Sequence, residues 1–298
     1  MFTSFRPRLP MTLPIAAVVV FAVLVALLLG WARPARAACE GDPAARLRSV
    51  ALFYGEQVQV EQLSHFGSVV VEPDSDFVPS ARDASCQDWY AYVSVGEVTH
   101  DRIYARDVPK KWLIGHNATW ASTVVDQAAP GWPAFFVERV IAPLWARGFR
   151  GFFLDTLDSY QLAAKTDTAR TKQQAGLVAV IRAVKARYPD AKLILNRGFE
   201  ILPQVHDEVA AVAFESLYGN WDQRNQRYGE VPANDRDWLL AQAKTIREQY
   251  GLPVISIDYC APGNDACSRA IVEKIRAAGI VPYVTDGALR TVGAGPTD

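Results

Sequence analysis

The feature that most limits how this chain can fold is a repeat of short apolar runs, eight in all, separated by helix-like stretches and each ending in polar residues. The runs are 49–54, 68–71, 90–95, 151–155, 192–196, 209–215, 253–258 and 280–285. Runs of this length, rich in Val, Ile, Phe and Leu, suit strands buried on both faces. The clearest helices between them are predicted at 166–188, 234–250 and 265–278, with Gly251 and Gly279 placed as helix stops. Eight strands alternating with helices over roughly 260 residues match a (β/α)8 TIM-type barrel, with a doubly wound open sheet as the alternative. The span 99–133, which holds Trp112, Trp120 and Trp132, is too long for a simple connection and predicts an elaborated loop after strand 3.

The barrel is expected to occupy 38–298 as one domain, because 1–37 reads differently. Arg6 and Arg8 precede an apolar run over 13–29, and Ala35-Arg36-Ala37 is a small-x-small cleavage signature, so a signal peptide is expected. The run is long for a signal, which keeps an uncleaved anchor open. Removal of 1–37 takes Arg6, Arg8, Arg33 and Arg36 with it and leaves 27 of 31 basic residues against 32 acidic, a charge of −5. A mildly acidic, exported domain argues against a nucleic-acid partner. The expected location is secreted or periplasmic, and the expected state a monomer.

Four cysteines, an even number in an exported chain, point to disulfides. Cys260 and Cys267 flank the short segment APGNDA and are spaced to close it, which leaves Cys39 to pair with Cys86; other pairings stay open. Lipidation of Cys39 is the rival reading, and it would put the protein on a membrane.

Polar residues stand at the end of every predicted strand. In order they are Tyr54-Gly55-Glu56, Glu72-Pro73-Asp74, Glu97, Asp155, Asn196-Arg197, Glu215-Ser216, Asp258-Tyr259 and Asp286. One polar strand end means only that loops are polar, whereas eight predict a carboxylate-lined pocket at the C-terminal mouth of the barrel. No nucleotide-binding loop and no nucleophile elbow is present. The four histidines have no metal-ligand spacing, so no metal or cofactor is expected. Carboxylate chemistry remains, and two carboxylates are the minimal apparatus for cleaving a glycosidic bond.

Asp155 ends the fourth run and Glu215 the sixth, so their backbones should stand about 9 to 10 Å apart, two strand steps of about 4.8 Å. Inward-leaning side chains close that to a glycosidase separation, retaining or inverting. Asp158, three residues beyond Asp155, is read as substrate positioning or electrostatic support, with a helix N-cap as the plain alternative.

The ordered set YVSVGE (92–97), GFRGFFLDTLDSY (148–160), LILNRGFE (193–200), VAFESLYG (212–219) and VISIDY (254–259) resembles glycoside hydrolase family 114, the endo-α-1,4-polygalactosaminidases, including the hydrolase domains of Pel-type exopolysaccharide machinery. The likeness covers 50–286. It implies an enzyme that cuts α-1,4-linked galactosamine or N-acetylgalactosamine polysaccharide internally, as in the degradation of biofilm exopolysaccharide. Carried onto this chain, it implies Asp155 as nucleophile and Glu215 as acid/base in a retaining scheme. It further implies substrate contacts at Tyr54, Glu97, Asn196, Tyr218, Asp258 and Tyr259. A silent barrel that only binds exopolysaccharide, or a glycosidase for another α-linked sugar, remains as an alternative.

Overall fold

All eight apolar runs are parallel strands of one sheet, hydrogen-bonded in chain order. They are β1 (Val50–Phe53), β2 (Ser68–Val71), β3 (Asp88–Ser94), β4 (Gly151–Asp155), β5 (Lys192–Asn196), β6 (Ala211–Glu215), β7 (Val254–Tyr259) and β8 (Val281–Thr285). The computed structural model describes residues 43–75, 77–79 and 87–296, all within one compact unit, Gly41–Asp298. The predicted signal segment, Cys39 and Cys86 lie outside the described residues. Between β8 and β1 the sheet is nearly closed: the Tyr283 hydroxyl donates to the Leu52 carbonyl at 2.8 Å, and the Tyr54 N–H donates to the Leu289 carbonyl at 2.7 Å. The fold is a (β/α)8 barrel with helices outside the strands.

Burial explains why these runs are strands. Every residue of β1, β2 and β7 is buried, and Val, Ile and Phe side chains fill both the barrel interior and the layer under the helices. Each such side chain contributes roughly 1.5–3 kcal/mol when fully removed from water. The helix Asp167–Arg187 starts on Thr166, whose hydroxyl accepts the Ala169 N–H at 3.2 Å. It buries Leu177, Val180, Ile181 and Val184, one stripe at helical spacing. The helices Ala233–Tyr250 and Asp265–Ala277 stop where predicted: Gly251 and Gly279 have φ of 66° and 70°, a left-handed conformation that a β-carbon disfavours. Among the described residues no helix is long and apolar enough to cross a membrane.

The elaboration after β3 is a three-stranded antiparallel sheet of Glu97–Val98, Ser122–Val125 and Leu113–Asn117. Trp132 is fully buried and meets Trp112 edge-on at 6.3 Å, so these two tryptophans anchor a local core, while Trp120 is 56% exposed. A second addition, which the strand count did not foresee, is the hairpin Gly219–Asp222 with Arg227–Glu230 after β6. It docks on the loop after β8, where the Tyr228 hydroxyl accepts the Gly287 N–H at 3.1 Å. The Cys260–Cys267 disulfide is present and ties the end of β7 to the first turn of the following helix.

Candidate active site

Asp155, Asn196 and Glu215 are the last residues of three adjacent strands, β4, β5 and β6. Parallel neighbours in register bring such ends together, and here one atom joins them. The Asn196 Nδ2 donates to Asp155 Oδ1 at 2.7 Å and to Glu215 Oε1 at 2.9 Å. Two oxygens bound to one nitrogen at those lengths lie within about 5.6 Å of each other. Two phenols complete the set: the Tyr92 hydroxyl donates to Asp155 Oδ2 at 2.8 Å, and the Tyr259 hydroxyl donates to Glu215 Oε2. Tyr54 stacks obliquely on Tyr92 with ring centres 5.2 Å apart.

Burial sets the protonation of this cluster. It pushes the phenols of Tyr54, Tyr92 and Tyr259 well above the usual tyrosine range, helped by the adjacent carboxylates, so each stays a hydrogen-bond donor. Burial, and then the charge of Glu215, pushes the Asp155 carboxyl up to about 6. Asp155 therefore holds its proton into mildly acidic solution. Tyr92, Asn196 and the Thr156 N–H all donate to Asp155, whereas the hydrogen bonds to Glu215 come from Asn196 and Tyr259. Those donors oppose the burial and hold Asp155 below where burial alone would put it.

The residue after each of these three strand ends turns left-handed. Thr156, Arg197 and Ser216 have φ of 61°, 62° and 64°. The turn lets the ladder run one residue further, since the N–H groups of Arg197 and Ser216 still reach the Ala213 and Ile257 carbonyls at 2.7 and 2.8 Å. Thr156 is β-branched, for which this conformation is costly. Its hydroxyl accepts the Gly96 N–H at 2.8 Å and lies 2.8 Å from the Ser94 hydroxyl, which joins the loops after β3 and β4.

The expected rim of many carboxylates contracts to two. Glu97 is buried and accepts the side chains of Asn117, Ser122 and Ser159, so it ties the elaboration to the loop after β4. Asp258 is 0% exposed and accepts the N–H groups of Leu217, Tyr218 and Gly219 together with the Ser256 hydroxyl. It thereby clamps the turn after Glu215. Asp286 accepts three N–H groups of its own loop. Glu72 is held by Arg102. The Tyr218 ring lies near Arg236 and Lys274, within 6.0 and 5.7 Å of them, among the outer helices. Asp158 occupies the N-cap of the short helix Ser159–Leu162 without a side-chain capping bond. Spacing located the strand ends, but the amide and hydroxyls that engage Glu97, the loop N–H groups that engage Asp258 and the guanidinium that engages Glu72 are distant in sequence. Tyr92 and Arg102 were not singled out by the sequence; inward alternation from Ser94 was the available signal for Tyr92. Among the described residues no group of three or more His, Cys, Asp or Glu is set to hold a metal ion.

Residues 50–297 match the model of glycoside-hydrolase family GH114. The chain is similar to the glycoside hydrolase domain of PelA from Pseudomonas aeruginosa, 35% identical, over 84% of this chain and 99% of that one, with a TM-score of 0.76. It is also similar in fold to Ega3 from Aspergillus fumigatus, solved as a complex with galactosamine, at 13% identity, 83% and 94% coverage and a TM-score of 0.60. An uncharacterised protein of Deinococcus radiodurans is 28% identical over 256 residues, 79% of this chain and 78% of that protein.

Proposed function

This chain belongs to glycoside-hydrolase family GH114 and is a glycoside hydrolase, and from that premise we propose that it cuts α-1,4-linked galactosamine and N-acetylgalactosamine polysaccharide internally, with retention, using Asp155 and Glu215. The observation that carries the mechanism is the bridging amide of Asn196. It brings one oxygen of each carboxyl group within about 5.6 Å of the other, which supports the roughly 5–5.5 Å spacing of retaining enzymes over the 6.5–9.5 Å of inverting ones.

In the first step an Asp155 oxygen bonds to the anomeric carbon while the glycosidic C–O bond breaks, and the Glu215 proton passes to the departing sugar oxygen. Glu215, now a carboxylate, takes a proton from water as that water displaces Asp155 from the anomeric carbon. Both residues return to their starting states. Asn196 and the tyrosines hold the oxygens in place throughout, and orientation of this kind supplies much of the barrier reduction. The galactosamine complex of Ega3 and the likeness to the PelA hydrolase domain support an amino-sugar polymer as substrate.

The apolar segment and cleavage signature before Ala38 support an exported enzyme acting outside the cytoplasm. Incubating purified protein with galactosamine-rich polymer and resolving the products by mass spectrometry tests the proposal: a ladder of oligosaccharides is expected. Release of single sugars only, or no product, would reject it.

A further inference from the structure

We propose that Arg102 is a positioning residue for the catalytic pair: gripped by Glu72, it fixes the Tyr92 ring and thereby the aim of the Tyr92 hydroxyl at Asp155. The inference rests on the reading of Asp155 as the nucleophile. Arg102 lies in the loop after β3, and its Nη1 and Nη2 engage the two oxygens of Glu72, at the end of β2, as a fork. Nη1 also reaches Asp74 Oδ2 at 2.8 Å. The fork is not a loose surface pair, since the side chains of Arg102 and Glu72 are only 16% and 25% exposed. Its Cζ stands 5.7 Å from the centre of the Tyr92 ring, within cation–π reach.

The Tyr92 ring therefore has Tyr54 as one neighbour, at 5.2 Å, and Arg102 as another. A cavity of about 160 Å³ bordered by Tyr92, Arg102, Val93 and Leu144 lies beside them. Without the guanidinium, Tyr92 has room to turn away from Asp155, and its 2.8 Å hydrogen bond would lengthen. No partner in this chain of contacts touches the reacting atoms except Asp155 itself. Arg102 faces the Tyr92 phenol and Glu215 faces Asp155, Glu72 and Asp74 stand behind the guanidinium that they bind, and Tyr54 stays neutral.

The test compares wild type, Arg102→Met, Tyr92→Phe and the double variant. One readout, the Asp155 carboxyl titration followed by carbon NMR in substrate-free protein, needs no turnover. Arg102→Met should raise that titration by about half a pH unit and lower kcat about tenfold with KM within about twofold. In the Tyr92→Phe background the same change should do neither, because Arg102 acts through the phenol. An equal shift in both backgrounds would make Arg102 a through-space charge, and a raised KM with normal kcat would make it a substrate contact; either result overturns the proposal. An unmoved titration in Arg102→Met also overturns it. If Arg102→Met does not fold, Glu72→Gln loosens the fork from the other side and must show a smaller shift of the same sign, absent in the Tyr92→Phe background. Inactive wild-type protein would reject the substrate reading, while the NMR comparison would still decide this one.

Discussion

Replacing Asn196 with alanine removes the amide that bonds both the Asp155 and the Glu215 carboxyl groups. The two bonds, at 2.7 and 2.9 Å, are made to groups that carry negative charge during turnover. Hydrogen bonds to charged groups contribute roughly 1.5–3 kcal/mol each, and water entering the space returns part of the loss. A net loss of about 3 kcal/mol from the transition state corresponds to a fall of about a hundredfold in kcat/KM. The pH profile should move as well. Removing a donor from a carboxylate disfavours its charged form, so the acidic limb, set by Asp155, shifts to higher pH, by about one unit for each 1.4 kcal/mol lost. Burial and Glu215 have already pushed Asp155 up to about 6, so the shift falls in an accessible range. Initial rates on a defined galactosamine oligosaccharide from pH 4 to 9 measure both effects. An Asn196→Ala enzyme within about fivefold of wild type, with an unmoved profile, would show that the bridge does not hold the pair.

Asp155→Asn and Glu215→Gln should each lower turnover by several orders of magnitude while circular dichroism stays native, and near-normal rates in either would remove that residue from the mechanism. Because folding raises the Asp155 carboxyl from an unfolded value near 3.9 to about 6, the folded state binds more protons between those values, so stability falls as pH rises through about 4 to 6 and the penalty persists above. Asp155→Asn should therefore be stabilised relative to wild type by about 3 kcal/mol at pH 7.5 and little at pH 4, read by denaturant midpoints. Opening the Cys260–Cys267 bridge with a serine pair should cost about 2.5 kcal/mol and lower Tm by several degrees in calorimetry; an unchanged Tm would show that the bridge does not constrain the unfolded chain. Terminal sequencing of exported protein should begin at Ala38, and an intact Met1 or a modified Cys39 would place the protein on a membrane instead.

The strands were legible because burial on both faces leaves an unbroken apolar signature, and β2, β4 and β5 begin and end where the apolar runs do. The closeness of Asp155 and Glu215 followed from that register, since two carboxylates ending β4 and β6 must flank the end of β5. Side-chain direction was not legible. Glu97 and Asp258 stand at strand ends as Asp155 does, yet they turn to hydroxyls and loop N–H groups that lie up to 62 residues away in sequence. Tyr92 resembles Tyr90 two residues earlier, although one phenol meets Asp155 and the other ring packs against Gly151. The left-handed turns at Thr156, Arg197 and Ser216 carry no glycine to announce them. The Arg102–Glu72 fork joins residues 30 apart and depends on how two loops meet above the barrel.

If Asp155 attacks the sugar as proposed, the reaction is a covalent double displacement. Proton NMR of the first products, recorded before the sugar ring equilibrates, decides whether it is. New reducing ends should appear in the α configuration of the bond that was cut. Ends that appear first as β would mean a single inverting displacement by water, and would contradict the role given to Asp155.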